Sequence, residues 1–431
     1  MIEAQGKVLI LGADGFIGRH LAFGLRAAGW EVVASARRCA RLDRMGFETL
    51  EADLASPEAA TVVFWQGRLE GVSHVVNAAG VLTASERVSG AVHVQAPAAV
   101  YEALGKTGQR ETGRGVLISA VGIDDSETGF ARHRREGEAV ALAHGIMPLR
   151  AGLVLGETSY GGSSLARALA ALPFVMPVVG AGEQPFNPVH AADLTKTVAH
   201  FLTHPAEGVQ EIGGPEVVTQ TEMLTGVRRW LGLGPVPVLR LPVSLCRAMG
   251  RVGDAMRLGP ISVTAVRQLE AGVLAEPSEA VRALPERPRG FSDFVNARPA
   301  GTQDLWHARL YLMRPVLRLV LAVLWSVSGL IGLFLPTAEF LPLIAGSGVP
   351  DWLAIAFARL GGVADLLIAG ALLRGWRPRP MAGVQAAMVL GYTVAFSVLA
   401  PVLWLLPLGG LLKNLPVLAL IALLYILEDE R

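Results

Sequence analysis

Four long apolar runs beyond residue 315 constrain this chain more than any other feature. Leu319 to Leu335, Val384 to Leu399 and Leu415 to Leu427 carry no charge, and Leu353 to Leu373 is apolar apart from Arg359 and Asp365. A helix needs about 17 to 25 residues to cross a bilayer, and each run reaches that range with its apolar flanks. The loops supply an orientation. Arg309, Arg314 and Arg318 precede the first run, and Arg374, Arg377 and Arg379 separate the second from the third. The other two loops hold only Glu339 with Asp351, and Lys413. Arginine-bearing ends stay on the cytoplasmic side, so four spans return Glu428 to Arg431 to that side as well. The opening residues, Met1-Ile2-Glu3-Ala4-Gln5-Gly6, have no basic n-region, h-region or cleavage site. The residues before the spans are therefore expected in the cytoplasm and the chain in the inner membrane, multi-pass.

A mean hydropathy of +0.45 thus reflects the C-terminal third rather than a uniformly apolar protein. The formal charge of +1 provides no basic field, and nothing in it favours nucleic acid. Cys39 and Cys246 are far apart and outside any CxxC spacing, which argues against a disulfide framework or a zinc site.

The first 150 residues alternate between strand and helix patterns. Lys7 to Leu11 is a short apolar run ending at glycine, Phe16 to Ala28 has helical spacing, and Glu31 to Ala34 is extended again. Further strands are predicted at Phe47 to Leu50, His74 to Asn77, Val116 to Ser119 and Met147 to Leu149. Such alternation predicts an α/β fold with a doubly wound parallel sheet. The irregular stretch from about Ala151 to Pro285 suits a small substrate lobe. The expected divisions are residues 1–285 for the dinucleotide-binding domain with its lobe, 286–312 for a linker, and 313–431 for an all-α bundle of four transmembrane helices.

The turn after the first strand, Gly12-Ala13-Asp14-Gly15-Phe16-Ile17-Gly18, opens a helix. Glycines there permit a tight turn, close approach of backbone N–H groups to a pyrophosphate, and close helix–strand packing. After the second strand an NAD site would offer Asp or Glu to the ribose, whereas the chain reads Val33-Ala34-Ser35-Ala36-Arg37-Arg38. Two guanidiniums suit a 2′-phosphate, which favours NADP(H), with NAD(H) still possible. The alternative is a pair of solvated arginines.

GADGFIG, Asp53-Leu54, Asn77-Ala78-Ala79-Gly80, Val116-Leu117-Ile118-Ser119-Ala120, Pro148-Leu149-Arg150 and Asn187-Pro188-Val189-His190-Ala191-Ala192-Asp193-Leu194 together resemble the extended and atypical short-chain dehydrogenase/reductases over residues 5 to 215. The tail, with Trp325-Ser326 and Lys413-Asn414-Leu415-Pro416, resembles the DoxX-like membrane family. The resemblance implies that Asp53 and Leu54 border the adenine and that Asn77, Ala78, Ala79 and Gly80 line the cofactor's middle. A helix cap and a plain tight turn are their structural alternatives.

The same resemblance implies a catalytic tyrosine with a lysine four residues on, and that slot reads Phe130-Ala131-Arg132-His133-Arg134. A phenyl ring cannot transfer a proton. Arg134 replaces the lysine and is expected to hold the ribose. Catalysis then falls to Ser119 with solvent, to Tyr160 or His133, or is absent. His200 and His204, four apart, offer a metal-site reading that lacks a third ligand. Arg359 and Asp365 stand about 120° apart on their helix and need separate partners, the arginine snorkelling and the carboxylate facing the bundle.

Fusion to membrane spans points to a lipophilic substrate such as a quinone, an isoprenoid or a lipid, handled by a reductase or epimerase-like enzyme. Two other readings stay open. One is a non-catalytic assembly protein of a membrane complex, implied by similarity to the complex I accessory subunit. The other is a redox or transport module whose cytoplasmic domain senses NADPH. Residues Gly161 to Gln184, where the pocket loop falls, do not name the substrate.

Overall fold

A computed structural model describes residues 5–82, 84–106, 115–258 and 261–429. The chain divides into two compact units, one running to Gly250 with Ser262–Leu305, the other comprising Arg251–Ile261 and the residues from Trp306 onward.

The N-terminal unit is built on seven parallel strands: β1 (Lys7–Leu11), β2 (Glu31–Ala36), β3 (Glu48–Glu51), β4 (His74–Asn77), β5 (Gly115–Ala120), β6 (Met147–Ala151) and β7 (Gln210–Ile212). Their order is β7-β6-β5-β4-β1-β2-β3. β1 is a continuous apolar run because helices cover both of its faces, leaving no solvent side to favour polar alternation. Val8, Ile10, Val76, Val116 and Leu149 pack with Leu21, Leu25, Leu194 and Val198 of the helices Phe16–Ala27 and Ala191–Thr203. Leu9, Leu11, Val75 and Leu117 pack on the other face with Val100 and Leu104 of Ala96–Gly105. The expected doubly wound sheet is present, with six strands where the pattern put them. β7 was not anticipated, since three residues at a sheet edge leave no period to read.

The small lobe contains the helices Gly162–Ala170 and Gln220–Trp230 and two-stranded pieces such as Met176–Val179 with Val238–Leu241. The segment expected as a linker is folded. Phe291–Asn296 is a helix whose Phe291 and Phe294 are buried, and Arg289 reaches back to Asp193 through its backbone N–H (3.1 Å) and its Nε (2.9 Å). Thr302–Tyr311 is also helical, so the boundary between the units falls near Leu305 rather than 285. The Arg287-Pro288-Arg289-Gly290 and Arg298-Pro299-Ala300-Gly301 runs suggested a linker, but the buried phenylalanines and the Asp193 ion pair tie this stretch to the first unit.

Among the described residues, the second unit holds four helices long and apolar enough to cross a membrane, at Met313–Phe334, Asp351–Leu373, Pro378–Leu399 and Gly410–Leu427. They pack around Trp325, Leu321, Ile368, Val389 and Leu424. Arg318, near the start of the first helix, forms a buried two-bond ion pair with Glu428 at the end of the fourth, at 2.5 and 2.6 Å. Arg379 at the start of the third helix pairs with Asp429 at 3.3 Å. These helix ends therefore lie at one end of the bundle, as four alternating spans require. At the opposite end Arg359 donates to the carbonyls of Gly332 (2.8 Å) and Leu335 (2.9 Å), which close the first helix. It caps protein carbonyls instead of snorkelling, because the C-terminal carbonyls of the first helix lack partners within it. Asp365 is buried in the bundle and accepts from Ser328 Oγ (2.6 Å) and Tyr392 Oη (3.1 Å). The two charges have separate partners, as their helical spacing demanded.

Candidate functional site

The strand order reverses between β1 and β4, and a doubly wound sheet opens its ligand crevice at the strand C-termini of such a reversal. Gly12 fills that point. Its φ is +75°, and a Cβ there would stand 2.8 Å from Ala79 Cα and 2.9 Å from Ala79 N, so only glycine lets the turns after β1 and β4 meet. Gly18 lets the following helix close down, since a Cβ would lie 2.1 Å from the Gly12 carbonyl oxygen. Gly15 caps that helix without a side-chain hydrogen bond, and the first-turn N–H groups of Phe16 and Ile17 stay available to anionic oxygens.

Arg37 and Arg38 follow β2 at the same edge, exposed and without an ion pair among the described residues. Asp14 and Asp53 are also exposed. Asp53 Oδ1 accepts from Ala55 N at 3.0 Å, which is the local-cap alternative, while Leu54 is buried in the core. Asn77 departs from its expected role. Its side chain is buried, donates to Tyr101 Oη (2.9 Å) and accepts from Ala79 N (3.1 Å), so it shapes the turn in which Ala79 is buried and Gly80 exposed.

Beside this turn lies a cleft of about 990 Å³ whose lining includes Phe16, Ile17, Ala78, Ser119, Phe130, Arg134 and Tyr160. The structure thus brings together the glycine-turn residues and all three candidate catalytic residues. Ser119 is the penultimate residue of β5, and its Oγ is buried with no protein partner. Serine here does not cap a turn. Arg134 lies one turn beyond Phe130 on the helix Gly129–Ala143, donates Nη1 to Ile118 O (2.9 Å), and has an unpartnered Nε. Burial draws its guanidinium down to about 10, still cationic at neutral pH. Gly80 makes room for it, since a Cβ there would stand 2.2 Å from Arg134 Nη2.

Phe130 occupies the tyrosine slot with its ring edge-on to His93 at 5.8 Å and 5.5 Å from the Arg134 guanidinium carbon. His93 sits on a π-helical turn, Ala91–Gln95, and its Nε2 meets the backbone of Val81. Burial first, then the Arg134 charge, pushes its pKa down to about 4, so it is neutral. Nothing in the sequence singled out His93, whose position depends on a local π-turn. His133, the other donor considered, is buried, lies 3.6 Å from Glu86 and is not among the residues lining the cleft.

The neighbouring charges are scaffolding. Arg150 on β6 holds Glu138 through two bonds (2.9 and 2.7 Å) and Asp124 through two more, fixing the Phe130 helix against the sheet. Arg135 donates to Ile123 O and Ser126 O, shaping the loop that walls the cleft. The far wall comes from Thr264, Arg267, Gln268 and Leu274, over a hundred positions away and unsignalled in sequence. Asn187 anchors it, bonding the backbone of Ala275 twice at 2.8 Å. His190 caps the next helix by accepting from Ala192 N and touches Arg289, a loop-orienting role. His200 and His204 stack face to face at 4.6 Å, and no group of three metal-ligating side chains occurs among the described residues.

This geometry defines a Rossmann-type dinucleotide-binding domain joined to a membrane-type helical bundle. Residues 8–125 match the NAD dependent epimerase/dehydratase family and residues 322–422 match the DoxX-like family, so the chain carries an epimerase/dehydratase-type domain and a DoxX-like domain. It is 26% identical over 262 residues to the ceramide reductase of Caulobacter vibrioides, covering 59% of this chain and 79% of that protein. It is 28% identical over 249 residues to a chloroplastic epimerase family protein of Arabidopsis thaliana, covering 51% and 70%. The Bordetella bronchiseptica enzyme WbmH, solved with NAD+, shares the fold at a TM-score of 0.52 and 18% identity, over 68% of this chain and 97% of that one.

Proposed function

We propose that this protein is a membrane-anchored, NADP(H)-preferring oxidoreductase or epimerase-like enzyme acting on a lipophilic carbonyl substrate at the cytoplasmic face of the inner membrane. The observation that carries this reading is the single cleft that Ser119, Arg134 and the glycine turn share. A dinucleotide fits the residues present. Gly12 and Gly18 leave a cradle that a Cβ would fill, and the Phe16 helix offers uncapped N–H groups to the pyrophosphate. Arg37 and Arg38 are free to take a 2′-phosphate, which favours NADP(H) over NAD(H). When bound, the nicotinamide exchanges hydride with the substrate carbon.

The chain's own residues then have distinct tasks. Arg134, held by Ile118 O and partly desolvated, directs its remaining donors toward the ribose and a positive field toward the substrate oxygen. Ser119 Oγ, lacking a protein partner, hydrogen-bonds that oxygen. Phe130 removes the usual proton donor, and Tyr160, half-exposed on the same cleft, supplies the proton instead. Likeness to a protein named ceramide reductase supports a long-chain lipid substrate over a quinone or isoprenoid, and it agrees with fusion to four apolar helices.

Phe130 itself favours a second reading, a non-catalytic NADP(H)-binding subunit of a membrane complex or a redox sensor. Titrating NADPH and NADH into the detergent-purified full chain, then following NADPH oxidation with carbonyl-bearing ceramides and with a membrane extract, separates the two. Turnover that falls in Ser119→Ala and Tyr160→Phe supports the enzyme. Tight NADPH binding without turnover on any lipid fraction refutes it in favour of the second reading. Loss of NADPH preference in Arg37→Ala with Arg38→Ala is expected; an unchanged preference overturns the 2′-phosphate assignment.

A further inference from the structure

Among the described residues, Arg257, Arg318, Arg374, Arg377 and Arg379 lie at the end of the helical bundle that carries Glu428, and they differ in their partners. Arg318 and Arg379 are neutralised by Glu428 and Asp429. Arg257 and Arg374 have no ion-pair partner among the described residues, and both are exposed. Arg377, the fifth, lies over the Trp376 ring at 5.6 Å. The two free guanidiniums stand at the mouth of a cavity of about 620 Å³ within this unit, with Trp376 beside them.

The rest of the cavity is apolar. Leu367, Ile368 and Ala371 come from the second span, and Val384 and Met388 from the third. Leu367 lies about 9 Å below the end of its helix and Met388 about 15 Å into the next, at 1.5 Å per residue. The cavity therefore runs from the charged boundary well into the hydrocarbon layer. A free phosphate satisfies only its mouth, and a neutral hydrocarbon only its depth.

The placement of Arg257 is unusual. It follows the helix Val243–Met256 in the left-handed region, with φ of +54°, a position that glycine usually fills. The turn folds back tightly, since a Cβ on Gly253 would lie 1.8 Å from Ile261 O. An arginine held in a glycine conformation beside an apolar cavity that a second unpaired arginine also lines fits a ligand bearing one phosphate charge and an acyl chain. Basic pockets between spans recognise anionic head groups in this way.

We propose that the cavity between the second and third spans binds an anionic phospholipid from the bilayer, its phosphate held by Arg257 and Arg374 and its acyl chain lying against Leu367, Ile368, Val384 and Met388. This site is independent of the cofactor cleft and of any reaction there.

The full chain in phosphatidylcholine nanodiscs, doped with brominated phosphatidylglycerol or brominated phosphatidylcholine, tests it. The fluorescence lost in Trp376→Phe isolates Trp376, and its quenching reports occupancy. A preference for phosphatidylglycerol of about thirtyfold is expected, about fivefold for each arginine. It should fall about fivefold in Arg257→Gln or Arg374→Gln and vanish in the double variant, while Arg377→Gln retains it. Equal quenching by the two lipids, or a preference that survives the double substitution, overturns the proposal. Inorganic phosphate that abolished the preference would reassign the arginines to a soluble ion and overturn the lipid assignment as well.

Discussion

Substituting Gly18 with alanine puts the packing of the cofactor turn to a direct test. The new methyl would stand 2.1 Å from the Gly12 carbonyl oxygen, 2.8 Å from its carbon and 2.9 Å from Ala13 Cα, all backbone atoms with no flexible end to swing away. Non-bonded heavy atoms settle near about 3.5 Å, so the first turn of the helix must retreat from the β1 turn by about 1 Å. Overpacking of this kind costs about 1 to 3 kcal/mol of stability. The retreat also carries the Phe16 and Ile17 N–H groups away from the pyrophosphate position, and a tenfold loss of NADPH affinity, about 1.4 kcal/mol, is the smallest effect expected. Isothermal titration of the detergent-solubilised chain reads the affinity, and a thermal melt reads the stability. Gly105→Ala is the control, since no heavy atom lies within 4 Å of its Cβ position and its φ is ordinary. It should bind NADPH normally and melt no lower. A Gly18→Ala protein with affinity within twofold of the natural one would refute the cradle, whatever its melting temperature.

Phe130→Tyr should raise turnover at least tenfold if the chain is an enzyme working without its usual donor, read as NADPH oxidation at saturating substrate; unchanged turnover would mean that the slot is not aligned with the reacting carbonyl. Arg318→Met leaves Glu428 buried and unpaired and should lower stability by about 3 to 5 kcal/mol, whereas Arg318→Met with Glu428→Met should recover most of it; thermal melts in one detergent make the comparison. His93 is held neutral, with its pKa pushed down from 6.5 to about 4, so its contribution is complete above pH 6.5 and declines as pH falls toward 4, where the unfolded chain takes up a proton that the folded one refuses. The loss is at most about 3 kcal/mol. Melts between pH 7 and pH 4 should show that decline, and His93→Gln should flatten it.

The sequence by itself determined the elements whose signal is local. β1, the glycine turn and the helix after it are legible because an apolar run, a tight turn and a 3.6-residue period each lie within a dozen neighbouring residues. The four spans are legible for the same reason, since hydrocarbon tolerates few charges over a helix of that length. Even the separate partners of Arg359 and Asp365 followed from helix geometry. The partners' identities did not: Gly332 and Leu335 carbonyls, Ser328 and Tyr392 are supplied by other helices. Tertiary structure likewise decided that Asn77 is spent on Tyr101 and Ala79, that Ser119 Oγ is left without a partner, and that Glu286 to Leu305 is tied to the first unit by Asp193. It alone brought Thr264 to Leu274 to the cleft and set His93 beside Phe130 on a π-turn. Arg257 is the plainest case, an unremarkable arginine in sequence that comes to line one cavity with Arg374 only when the chain folds back against the second and third spans. A backbone pattern encodes where helices and strands form, whereas which buried polar atoms find partners depends on residues far apart in the chain arriving at the same place.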